Sequence, residues 1–138
     1  MKNLLKLLLA PAVLLTTVAL SAQPDDRAGL VARGRYLVEN VGMCAECHTP
    51  RNERGEFIAG LSLMGAPLGF APSFPMPAWA PVAPPIAGLP TMTEAEAVRF
   101  MKEGVRPNGS RPVPPMPEFR FNEADATAVV AYLKTLAR

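Results

Sequence analysis

The chain has 138 residues, 14 basic and 12 acidic side chains, a formal charge of +2 at neutral pH, and 16 prolines. Two of the basic groups, Lys2 and Lys6, lie in an apolar N-terminal stretch that reads as a leader, so the remainder balances 12 charges of each sign. That balance excludes a basic nucleic-acid-binding surface, and a remainder of about 116 residues makes one domain rather than two.

In chain order, residues 1–22 have the pattern of a cleavable signal peptide. Lys2 and Lys6 give the positive start, residues 7–20 are almost wholly apolar around Pro11, and Ala19-Leu20-Ser21 supplies small residues for cleavage. The apolar run is short for a membrane span, which makes an uncleaved anchor the weaker alternative. No cysteine stands at the cleavage site to carry a lipid. The expected product is residues 23–138, exported to an oxidising bacterial periplasm.

Asp25 and Asp26 sit where acidic side chains suit the positive end of a helix. Leu30, Gly34, Leu37, Val38 and Val41 then recur at helical spacing, which predicts a helix over about 25–40 that ends near Gly42. Arg33, Arg35 and Glu39 mark its polar face. Gly34 weakens a helix, so its place on the apolar face predicts a close crossing by another helix.

Cys44-Ala45-Glu46-Cys47-His48 follows and contains every cysteine and histidine of the chain. Two thiols three positions apart can add across the two vinyl groups of a porphyrin. The adjacent imidazole is then placed under the iron, so the pattern reads as attachment of one c-type haem. A redox dithiol would need a preceding strand and a βαβ setting, and neither is apparent. Zinc would need further ligands. A simple disulfide leaves His48 unexplained.

Thr49-Pro50 turns the chain, and residues 51–56 are charged and expected in solvent. Residues 57–93 contain no charged side chain but do contain Pro67, Pro72, Pro75, Pro77, Pro81, Pro84, Pro85 and Pro90. Proline at that density forbids a regular helix or a central strand, so a long, stiff, extended loop is expected. Two uses compete. Most of the loop is expected to wrap the haem edge, while the part around Phe70, Phe74 and Trp79 could offer an apolar surface to a partner.

Thr93-Glu94-Ala95-Glu96 forms a capping box, predicting a helix to about Glu103 that Gly104 ends in a left-handed turn. A second proline-rich loop leads to Asn122, which caps a last helix over about 123–137. Its buried stripe is Ala126, Val129, Val130, Leu133 and Ala137, with Tyr132 beside it. The fold class is therefore all-α: about three helices packed round a covalent haem, joined by long proline-rich loops.

His48 is the only histidine, so a second imidazole ligand is impossible. Met43 adjoins the attachment site on the wrong side of the ring, Met101 has core spacing, and Met64 and Met92 have no distinctive setting. Met76 and Met116 each lie between prolines, which hold a thioether on a stiff segment. Met116 is preferred because it immediately precedes the helix expected to close the pocket. Arg106 and Arg111 flank it and are either propionate partners or solvated loop charges.

These features resemble a class I cytochrome c, and more closely the small haem domains of bacterial periplasmic dehydrogenase cytochrome subunits. The matching segments are Gly34-Arg35-Tyr36-Leu37, Cys44 to His48 with Thr49-Pro50, Pro114-Pro115-Met116-Pro117 and Ala131-Tyr132-Leu133. The resemblance implies haem attachment after export, Met116 as the distal iron ligand and a close crossing of first and last helices, with Gly34 against Tyr132. It does not extend to residues 67–90. The carbonyl that should accept from His48 has no clear position, and Pro67 is the working candidate.

The expected function is periplasmic one-electron transfer by a single haem c with His48 and Met116 as axial ligands and Cys44 and Cys47 as thioether anchors. No catalytic triad or carboxylate pair is present. The partners are a donor dehydrogenase and an acceptor oxidase or cytochrome, met through an apolar rather than a lysine-rich face. Beyond the leader the only lysines are Lys102 and Lys134. The rivals are a fixed relay subunit within a dehydrogenase or oxidase complex, and a five-coordinate haem that binds gas or acts as a peroxidase.

Overall fold

The structure, a computed structural model, describes residues 25–137. The expected leader at residues 1–22 lies outside the described residues.

Helix α1 (Asp25–Tyr36) and the last helix, α4 (Glu123–Thr135), cross at Gly34. A Cβ built on Gly34 would stand 1.9 Å from the Ala128 carbonyl oxygen and 2.8 Å from Tyr132 Cβ, so only hydrogen fits between the two backbones. The crossing also has a polar rim. Arg33 Nε donates to Asp125 Oδ1 at 2.9 Å, and the Tyr132 hydroxyl donates to the Glu39 carboxylate. Asn122 caps α4 by accepting from the Asp125 amide at 2.8 Å, which offsets one otherwise unpaired helix amide and contributes about 1 kcal/mol.

The first helix does not run regularly to residue 40. A π turn, Leu37–Val41, widens it, closed by the Gly42 amide on the Leu37 carbonyl at 2.7 Å. The wider turn buries both Leu37 and Val38, neighbours that a regular turn would set about 100° apart. Met43 follows in the left-handed region at φ 46, and a one-turn helix, α2 (Ala45–His48), carries the motif. This short helix is the element missing from the three-helix expectation.

Helix α3 (Glu94–Glu103) begins with the expected capping box: the Glu96 amide donates to Thr93 Oγ1, and the Thr93 amide to Glu96 Oε2 at 2.8 Å. Gly104 ends it at φ 67. Ala97 and Met101 of α3 pack on Val129 and Leu133 of α4, with Leu37 and Val38 completing the core.

Residues 57–93 fold over the opposite side. Their only ladder among the described residues is antiparallel, β1 (Ala66–Pro67) with β2 (Val82–Ala83), in register Ala66 to Ala83 and Pro67 to Val82. No strand was expected here. Proline is tolerated because a two-stranded ribbon has only edges. Further backbone bonds pin the segment: Gly65 to the His48 carbonyl at 2.8 Å, Ile86 and Ala87 to the Leu63 carbonyl, Gly88 to Leu133, and Ala80 to Pro114. Leu63 is 1% exposed and packs into the same core as the helices.

Candidate functional site

Between the helical frame and this arm lies a cavity of about 340 Å³. Cys44, Cys47 and His48 line it from α2, and Met116 lines it from the Pro115–Pro117 loop. Leu68, Val82 and Ile86 of the arm and Phe119, Phe121 and Leu133 of the frame supply much of its apolar wall. All four side chains proposed to contact a haem thus line one cavity. Met76, the rival sulfur, is not among the lining side chains.

His48 is 5% exposed, and its Nδ1 donates to the Pro84 carbonyl at 2.7 Å. That bond fixes the tautomer and leaves Nε2 as the basic nitrogen. Burial holds the ring below the usual histidine range, while the Pro84 carbonyl works against it, and the lowered value favours the neutral form that ligation to a metal requires. Pro67 is not the acceptor. It pairs with Val82 in the ribbon, whereas the chain leaving β2 brings the carbonyl of Pro84 to the Nδ1 edge of the ring.

Burial pushes the Cys44 thiol up to about 11. A thiol held protonated is unlike the low-pKa nucleophile of a redox dithiol. Gly42 keeps its place: a Cβ there would stand 3.3 Å from Cys44 Sγ and 3.2 Å from the Leu37 carbonyl. Among the described residues no group of three His, Cys, Asp or Glu side chains is arranged for a bare metal ion. The donor set is therefore two thiols, an oriented imidazole and a thioether around an apolar space. It fits a covalently tethered haem.

Three further methionines, Met43, Met92 and Met101, also line the cavity. Met43 is 57% exposed beside Cys44, and Met101 is 8% exposed within the core. Met92 packs against that same core. The arm divides into an inward and an outward part. Residues 80–92 largely wrap the cavity, while Phe70 and Phe74 point outward at 52% and 63% exposure, with Trp79 edge-on to Phe70. Two features had no sequence signal: the Pro84 acceptor, and Thr49, whose hydroxyl accepts from the buried Leu63 amide at 2.9 Å. The two arginines part company. Arg106 lines the cavity, whereas Arg111 pairs with Glu118 at 2.9 Å.

Residues 31–137 match the family model described as "Cytochrome c". The chain is 33% identical over 137 residues to the cytochrome c subunit of a quinone alcohol dehydrogenase from Gluconacetobacter polyoxogenes, covering 96% of this chain and 28% of that protein. It is 30% identical over 112 residues to the fructose dehydrogenase cytochrome subunit of Gluconobacter japonicus, covering 75% of this chain and 21% of that one. A 30-residue stretch is 63% identical to a dihaem c-type cytochrome of Cereibacter sphaeroides, covering 22% of this chain and 10% of that protein. The chain thus spans about a quarter of the length of the dehydrogenase subunits it matches. With the family model covering nearly all of the described residues, the chain belongs to the cytochrome c family, and is an electron-transfer protein of covalent haem c.

Proposed function

We propose that residues 23–138 form a mono-haem electron carrier of the periplasm, delivered there by residues 1–22. Cys44 and Cys47 would hold the haem by thioethers, and His48 and Met116 would supply the two protein donors to its iron. The observation that carries this reading is that these four side chains line one cavity, with Met76 outside it.

When bound, the haem supplies a single one-electron couple. The chain's own groups set its character. The Pro84 carbonyl orients His48 and makes its free nitrogen a better donor. The Met116 thioether is a soft, neutral donor that favours the reduced state over what two nitrogens would give. The apolar wall excludes water, which disfavours the more highly charged oxidised centre. If His48 and Met116 both hold the iron, they would leave no position on it for a substrate, which is the argument against a gas-binding or peroxidase role.

A second reading is favoured by the relatives. They are named as dehydrogenase cytochrome subunits, and one of them aligns with almost the whole chain. On that reading the protein relays electrons within a complex with a dehydrogenase, with the outward Phe70 and Phe74 against the larger protein. Such a contact is apolar and weakly sensitive to salt, because residues 57–93 bring no charge to it. Stable co-purification with a larger subunit distinguishes this relay from a diffusible carrier.

Spectra of the oxidised and reduced protein test the ligation. The expected result is a weak far-red band in the oxidised form that disappears in Met116→Ala and persists in Met76→Ala. A band that survives Met116→Ala overturns the assignment.

A further inference from the structure

Arg106 is the one permanently charged side chain on the cavity wall. It stands on the turn that follows α3, closed by its own amide on the Ser110 carbonyl at 2.8 Å and by the Gly109 amide on its carbonyl at 2.9 Å. Its guanidinium lies 5.6 Å from the centre of the Phe100 ring, itself a wall residue. One end is tethered: Nη1 donates to the Arg111 carbonyl and to Ser110 Oγ. Among the described residues, Nη2 and Nε have no acceptor, and no carboxylate pairs with this side chain.

The surrounding charges make that isolation informative. Nearly every other described arginine is matched: Arg33 with Asp125, Arg35 with Glu39, Arg51 with Glu46, Arg99 with Glu103, and Arg111 and Arg120 both with Glu118. Glu103 at the end of α3 and Glu118 in the loop beyond Arg106 are therefore already committed. A half-buried arginine on the wall of an apolar cavity, with the Nε–Nη2 edge of its guanidinium free, is suited to a carboxylate brought in by the cavity's occupant.

We propose that Arg106 binds a propionate of the haem through Nη2 and Nε, and that Arg111 does not. This rests on the haem site assigned above and adds a residue to it. The physical consequence is electrostatic. A propionate paired with Arg106 stays ionised with its charge compensated. Without the arginine the bare negative charge stabilises the oxidised centre, and its own protonation moves up into the range near neutral pH.

The test measures the reduction midpoint as a function of pH in holoprotein carrying Arg106→Gln, Arg106→Lys or Arg111→Gln. In R106Q the equilibrium constant for reduction is expected to fall about tenfold at pH 8, an order-of-magnitude figure for one uncompensated charge in a partly screened site. The fall should shrink as the pH is lowered and the propionate protonates. R106K should recover most of the loss, and R111Q should match the wild type. An unchanged midpoint in R106Q, or an equal shift in R111Q, overturns the proposal. Should R106Q fail to accumulate, Arg106→Met decides on the same readout: a midpoint lowered at about pH 8 by an amount that shrinks on acidification supports the pairing, and a midpoint equal to the wild type's refutes it. The far-red band is read on the same samples. Its presence or absence reports the axial ligands independently of the midpoint, so failure of the ligand assignment and failure of this one are distinguishable.

Discussion

On one side of the cavity, α1 meets α4 so closely that a single added carbon on Gly34 would overlap a backbone carbonyl. On the other side, residues 63–92 have one ladder of two-residue strands and are otherwise irregular, yet Leu63 is as buried as Leu133 of α4. The helical frame is ordered by regular backbone bonding and by side chains meeting across an interface. The arm is ordered by prolines that fix φ before folding and by isolated backbone bonds to distant parts of the chain. Irregular backbone can thus be core. The strain it carries shows this too: Leu63 sits at φ 60, a left-handed conformation costing about 1 kcal/mol or more for such a side chain, and burial must outweigh that.

The largest effect is expected at the frame. Gly34→Val would place its Cβ within 1.9 Å of the Ala128 carbonyl oxygen, and neither helix backbone can yield without losing its contacts. A loss of about 4 kcal/mol is expected, at the upper end for a single substitution. The measurement is the yield of haem-bearing protein and its denaturation midpoint. Normal stability in this variant would mean that the two helices are not in contact at Gly34.

Next in size is a direct trial of the arm against the frame. Leu63→Ala and Leu133→Ala each remove a side chain that is 1% exposed. Each is expected to cost about 3 kcal/mol, transfer and cavity together. If chemical denaturation shows L63A losing less than about 1 kcal/mol while L133A loses the expected amount, the arm is a cover over the core rather than part of it.

The same contrast explains what could be read in advance. The capping box at Thr93, the Asn122 cap, the Gly104 terminator and the attachment motif are each complete within a few residues, so their chemistry is legible without a fold. Gly34 was legible because a glycine on an apolar helical stripe needs a neighbour to explain it. The Pro84 acceptor was not, since it lies 36 residues from His48 and any loop carbonyl can accept. Met76 and Met116 share the same proline-flanked setting, and only the tertiary path separates them. The arm carries Met76 away from the cavity wall, and the approach to α4 carries Met116 onto it. The π turn was also invisible, because Leu37 and Val38 fit the stripe of a regular helix as well as the widened one.

The smallest expected effect concerns protons, and it too should fall on one side only. Residues 57–93 hold no titratable side chain beyond the backbone, so acid has nothing to act on within the arm. The frame differs. The hydrogen bond from Arg33, aided by its charge, holds the Asp125 carboxyl below its usual range. Glu39 also ends below it: burial pushes it up, but hydrogen bonds from Tyr132 and Arg35 together outweigh that. A carboxyl lowered by folding adds stability above its unfolded value, about 3.9 for Asp, and loses it as the pH falls through the lower folded value. Asp125→Asn should therefore be less stable than the wild type near pH 7, and the difference should vanish in strong acid, where both carry a neutral group. Because the pair is exposed, added salt should also narrow the difference. Paired denaturation curves at pH 7 and pH 2 measure this directly. A difference that persists unchanged at pH 2 would assign the role of Asp125 to its hydrogen bond with the Asn122 cap rather than to its charge, and the frame would then be no more acid-sensitive at this point than the arm.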